Sequence, residues 1–204
     1  MAKIKIQKKD IWIDMTPMSD VMTLLLCFFM LTATFVSREP LKVNTPGSVS
    51  EVKVPEKDLL NILVSPEGRI FLGTDNKNYM KSMLYTMTDA FSVSLNKTQE
   101  QHFMDDPMAG VPMDKLAAYL SLAPEKMGEA IQTLGIPTDS INGGMSEFQM
   151  WVKAARDANP DIKIAIKCDA KTPYKTVKAM MSELQDMNEN RYQLITNLQK
   201  LKEE

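Results

Sequence analysis

Residues 16–37 read Thr-Pro-Met-Ser-Asp-Val-Met-Thr-Leu-Leu-Leu-Cys-Phe-Phe-Met-Leu-Thr-Ala-Thr-Phe-Val-Ser. No charge occurs from position 21 to position 37, a run at the lower limit for a spanning helix. The helix can start earlier. Thr16 is a competent N-cap, and Pro17 suits the first helical position because the N–H it lacks would have no helical partner there. Positions 17–36 then span about 30 Å at ~1.5 Å per residue, the thickness of a bilayer's hydrocarbon core. Ile11, Trp12 and Ile13 precede the span as an interfacial anchor. These features predict a transmembrane helix over 16–37. A cleaved signal peptide fits less well, because Arg38-Glu39-Pro40 follows where small residues would mark a cleavage site. A buried helix of a soluble domain would keep a polar face, and positions 24–31 leave almost none.

Lys3, Lys5, Lys8 and Lys9 lie before the span, while Arg38 and Lys42 follow it. The positive-inside rule puts residues 1–15 in the cytoplasm and the rest of the chain across the membrane, in the periplasm of a two-membrane bacterium. Asp20 falls inside the span near its cytoplasmic end. A carboxylate at the centre of a bilayer costs ~2.5–3.5 kcal/mol on insertion scales, so an acid within a span calls for a use. Thr23, Cys27 and Thr34 follow at helical spacing and share its face, a narrow polar stripe that favours a protein partner or a water-filled path over lipid. A second reading of Asp20 stands beside this one: an acid in the first turn of a helix is favoured by the macrodipole whatever the helix does. Asp14, ahead of the span, reads as a solvated residue at headgroup depth.

The remainder carries the composition of a globular domain. Apolar residues make up 44% and charged residues 25%, and the net charge of −2 with no Lys/Arg block past the N-terminus excludes a nucleic-acid surface. Cys27 and Cys168 form no disulfide framework, His102 reads as a lone surface histidine, and no Cys/His cluster has metal-ligand spacing. Nucleophile–base pairs and phosphate-binding glycine loops are also missing, so neither an enzyme nor a cofactor is expected.

Residues 38–57, punctuated by Pro40, Pro46 and Pro55, read as an extended linker. Such a segment can add as a strand to another chain or serve as a flexible tether. Residues 61–64 and 69–72 around the Pro66-Glu67-Gly68 turn predict a hairpin. Residues 161–166 alternate as a strand with one buried face. Val177, Met180, Met181, Leu184 and Met187 mark an amphipathic helix opened by Thr172-Pro173. Asn188 and Asn190 then turn the chain into a closing strand over 191–196. Between these pieces, 79–145 is helical in pattern, with helices expected over 79–96, 113–122 and 124–134; Ser146 opens another that buries Phe148, Trp151, Val152 and Ala155. The methionines, 17 in the chain, are either core filler or an adaptable binding surface. The expected fold is α+β: one N-terminal transmembrane helix, then a small mixed α/β domain over 58–204 with a helical insertion at 79–145.

Thr16-Pro17-Met18-Ser19-Asp20-Val21-Met22 and the Leu-rich span after it resemble the signature of the ExbD/TolR family of biopolymer transport proteins. Asp14 and Ser19 depart from it, standing where Asn and an apolar residue are usual. The resemblance continues through Leu41-Lys42-Val43-Asn44-Thr45-Pro46, the hairpin, and Ile166-Lys167-Cys168-Asp169-Ala170 with the helix and strand that follow. The insertion does not match. Most like ExbD, the chain is implied by this resemblance to be a proton-driven motor subunit of the bacterial inner membrane, with Asp20 as the proton-translocating residue. It further implies a dimer, a multi-helix membrane partner of the ExbB/TolQ type, and a periplasmic client of the TonB or TolA type. Leu41, Val43, Asn44 and Pro46 become the partner-binding part of the linker. The alternative is a membrane-tethered periplasmic scaffold or binding module, including a TolR-like role in envelope maintenance.

Overall fold

The structure, a computed structural model, describes residues 16–33, 43–48, 58–105, 108–139 and 144–198. Two compact units divide the chain between Ser37 and Arg38. In the first, helix α1 covers Thr16–Thr32, and the N–H of Ala33 bonds the carbonyl of Phe29 to extend its ladder. Every residue of α1 is exposed. At ~1.5 Å per residue its 17 residues reach about 25 Å. Among the described residues, no helix is long and apolar enough to cross a membrane. Positions 34–37 of the expected span lie outside the described residues.

The second unit is built on a five-stranded mixed sheet. Strands β2 (Leu59–Val64) and β3 (Ile70–Thr74) form the antiparallel hairpin expected around Gly68. Gly68 has φ +84°, and a Cβ there would meet the Thr176 hydroxyl at 2.9 Å, so glycine suits both the turn and its packing. Parallel to β2 runs β5 (Lys163–Cys168), with β6 (Tyr192–Leu194) parallel to β5 at the edge. The opposite edge is β4 (Met108–Ala109), antiparallel to β3, giving the order β4-β3-β2-β5-β6. Ile164, Ala165 and Ile166 are all buried, so β5 is covered on both faces rather than on the one its alternation suggests. It starts at Lys163 because the Asn159 side chain accepts the N–H of Asp161 in a turn just ahead of it.

The segment expected as a helical insertion contributes to the core. Helices α2 (Lys77–Ala90), α3 (Lys97–Asp105), α4 (Met113–Leu120) and α5 (Pro124–Thr133) precede α6 (Glu147–Ala158). Their apolar faces join the sheet in one cluster that includes Met80, Met83, Met87, Met113, Met127, Phe148 and Trp151. Core filling is therefore what these methionines do. The expected helix over 79–96 stops at Ala90: Ser92 adopts φ 53°, and the N–H of Val93 returns to the carbonyl of Thr88. Helix α3 was not expected. It buries only Phe103, which stacks on Trp151 with ring centroids 6.3 Å apart. His102 is no free surface residue; its ring nitrogen bonds the Leu120 carbonyl at 3.1 Å and ties α3 to α4. Helix α6 begins with a full capping box, Ser146 and Gln149 bonding each other's backbone N–H. The last helix, α7 (Tyr174–Asp186), buries Met180 and Leu184, with Val177, Met181 and Met187 packed beside them. Strand β6 is shorter than the expected 191–196, although the N–H of Ile195 still bonds the carbonyl of Ile166.

Candidate functional site

Asp20 lies early in α1, with Thr23 and Cys27 three and seven residues on. At ~100° per residue these three side chains fall within about 60° of one another. The Thr23 hydroxyl donates to the Ser19 carbonyl at 2.9 Å, which satisfies its proton inside the helix and leaves its oxygen free to accept. Cys27 is a free thiol. Among the described residues no cation pairs with Asp20; the ion pairs there join Arg69 to Glu67 and Arg156 to Glu189. Thr34, the last member of the stripe, lies outside the described residues.

The linker carries the second candidate. Residues 43–48 lie along the second unit as a strap. The N–H of Asn44 donates to Asp169 Oδ2 at 2.8 Å, and the N–H of Ala170 donates to the Asn44 carbonyl at 2.9 Å. Thr45 is buried. The N–H of Asn197 bonds the Pro46 carbonyl at 3.0 Å, and β1 (Gly47–Ser48) pairs in parallel with β7 (Asn197–Leu198). Val43, Asn44 and Pro46 thus meet the chain's own domain; Leu41 lies outside the described residues. The strap's main-chain groups are used as a strand addition would use them, with the chain's own C-terminal strand as partner.

Asp169 anchors this arrangement and was not singled out from the sequence. It follows β5 directly, and its Oδ1 accepts the N–H of Lys171 at 2.9 Å in an Asx turn. The backbone N–H groups of Lys171 and Asn44, with the Lys171 charge, hold its carboxyl below the usual value of 3.8. An acid placed between an alternating strand and Thr-Pro was the available signal for such a turn.

A second buried acid was also missed. Glu147 is 4% exposed and accepts the N–H of Met113 at 3.0 Å, joining α6 to the start of α4. Burial pushes its pKa up to about 7, with Asp114 adding to the rise. The Met113 N–H opposes the rise, as does the Trp151 indole, whose Nε1 sits buried without a hydrogen bond of normal geometry. Burial likewise pushes the Cys168 thiol up to about 11, so it stays protonated at neutral pH. Among the described residues, no three His, Cys, Asp or Glu side chains converge as metal ligands.

The family model described as "Biopolymer transport protein ExbD/TolR" matches residues 7–199. The chain is also 28% identical over 85 residues to the "Biopolymer transport protein ExbD" of Aquifex aeolicus (strain VF5), across 41% of this chain and 64% of that protein. The chain therefore spans a little under two thirds of that relative's length. No solved structure matches. With the family match running from before α1 to β7, the chain belongs to the ExbD/TolR family of biopolymer transport proteins.

Proposed function

We propose that this chain is the proton-handling subunit of an inner-membrane energy-transducing complex of the ExbB–ExbD type, powering TonB-dependent transport across the outer membrane. The observation that carries the reading is Asp20: an acid on the most apolar of the described helices, aligned with Thr23 and Cys27 and without a cation among the described residues. In this reading residues 16–37 cross the membrane once, with the N-terminus in the cytoplasm and the second unit in the periplasm. The exposure of Leu24, Leu25, Leu26, Phe28, Phe29, Met30 and Leu31 supports it, because a surface so apolar calls for lipid or partner helices.

An ionised carboxylate in that setting demands hydrogen bonds and a polar surface. Protonation removes the charge and much of that demand, so the helix can present the same face to a less polar neighbour. Each proton moved through the complex releases ~2.3 kcal/mol per 100 mV of membrane potential. One acid on one helix makes half a path, and a multi-helix ExbB/TolQ-type partner enclosing a dimer of this chain supplies the other half. The strap is the second moving part. Its residues 43–48 can leave the chain's own β7 and Asp169 for the edge of a TonB- or TolA-type client, or the reverse, because the same main-chain groups serve either contact. The test is Asp20→Asn in cells: the complex still assembles and energised transport stops. Normal transport by that variant refutes the reading.

A further inference from the structure

Helix α7 has two unlike faces. Met180 and Leu184 are buried on one. At ~100° per residue, Lys175 and Lys178 lie on the opposite side, in line with Lys171 just ahead of the helix, and all three are exposed. Tyr174, 76% exposed, borders them. No acid occurs between positions 170 and 182, and the first turn of α7 contains none. Lysines at the start of a helix face the positive end of its dipole, so local helix electrostatics do not account for them.

Three acids near this face, among the described residues, are already engaged. Asp169 accepts the N–H groups of Asn44 and Lys171. Glu67, on the turn that packs against Thr176, is paired with Arg69 at 2.7 Å. Glu183 accepts from the Ser146 hydroxyl. A chain of net charge −2 thus gathers three ammonium groups, none in an ion pair among the described residues though Lys171 also acts on Asp169 through its charge, and an exposed phenol on one surface.

The covalent path adds a second observation. Asn44 is bonded to Asp169 and Ala170, the two residues just before Lys171. Only positions 34–42 connect Ala33, at the end of α1, to Val43, which is at most about 35 Å of fully extended chain. The strap therefore ties the lysine face by a short leash to whatever medium holds α1.

We propose that the face formed by Lys171, Tyr174, Lys175 and Lys178 docks on the anionic phospholipid headgroups of the membrane that holds α1. This rests on α1 being a membrane anchor. Ammonium groups meet headgroup phosphates, the tyrosine ring suits the interfacial layer, and the contact weakens with salt.

The test uses the full-length chain in nanodiscs of phosphatidylcholine alone or of phosphatidylcholine with phosphatidylglycerol. Each lysine's acylation rate is read by mass spectrometry. Lys171, Lys175 and Lys178 should react about fivefold more slowly in the anionic discs. High salt should abolish the difference, and Lys81 and Lys97 on α2 and α3 should show none. Equal rates in the two kinds of disc overturn the docking while leaving the anchor intact. Protection by inorganic phosphate in neutral discs overturns it in favour of a small-anion site. Failure of the chain to enter discs of either kind overturns the docking and the membrane reading together.

Discussion

Helix α1 and helix α6 are both amphipathic-length segments rich in Phe, Met and Leu or Trp, yet they meet opposite fates. Helix α6 buries Phe148, Trp151, Val152, Ala154 and Ala155 within its own domain. Helix α1 buries nothing. The difference lies in pattern rather than in apolar content. Helix α6 keeps Lys153, Arg156 and Asp157 for its outer side, so one face can seek the core while the other stays wet. Helix α1 carries only a narrow polar stripe at Asp20, Thr23 and Cys27, and every one of its residues is exposed. The second unit's core is thus internal to it, whereas in the proposed function α1 finds its apolar surroundings in lipid and partner helices.

The largest expected effect on this contrast comes from Trp151→Ala. It removes the ring stacked on Phe103 and should cost the domain ~3–5 kcal/mol in urea unfolding. Phe28→Ala on α1 should leave that unfolding curve unchanged, and a comparable loss from it would break the contrast.

Glu147→Gln comes next. Because burial raises the folded pKa of Glu147 to about 7 from 4.5, the domain is stabilised relative to its ionised form below pH 4.5, and that advantage is lost as pH rises through 7. The glutamine variant keeps an acceptor for the Met113 N–H and cannot ionise. Above neutral pH it should be more stable than the parent by up to about 3 kcal/mol, with the gap closing in acid. Thermal unfolding followed against pH checks this; a parallel pair of curves contradicts it.

Ser146→Ala removes the cap of α6 and the contact with Glu183, and should cost ~1 kcal/mol, read in the same urea titration. Asp169→Ala acts most locally. Amide exchange at Asn44 and Ala170 should quicken while the core of β5 keeps its protection. In the parent chain the folded pKa of Asp169 is depressed, so strap docking should be fully present above pH 3.8 and fade only as pH falls below it.

Periodicity made the long elements legible. The hairpin, β5, α6 and α7 each had a buried face or a cap that could be read residue by residue, and the Ser146 box and the Met180–Leu184 stripe stand where the pattern put them. The missed elements have little local signal. Strand β4 is two residues long and depends on Gly110, where a Cβ would strike the Phe71 ring at 2.1 Å. Helix α3 buries one side chain. The β1–β7 pairing joins residues about 150 positions apart through two residues on each side, which no local window can detect. Asp20 drew notice for the opposite reason, since an acid stands out in an apolar run, and its role belongs to the proposal above. The anchor of the strap drew none, because Asp169 among ordinary loop residues looks like any turn acid until Asn44 is seen beside it.

In the proposed function Asp20 carries protons. This is tested most directly by reconstituting the chain with its multi-helix partner in vesicles and measuring proton flux under an imposed membrane potential. Flux is expected with Asp20 and none with Asp20→Asn, in complexes of the same composition. Equal flux in both would contradict it.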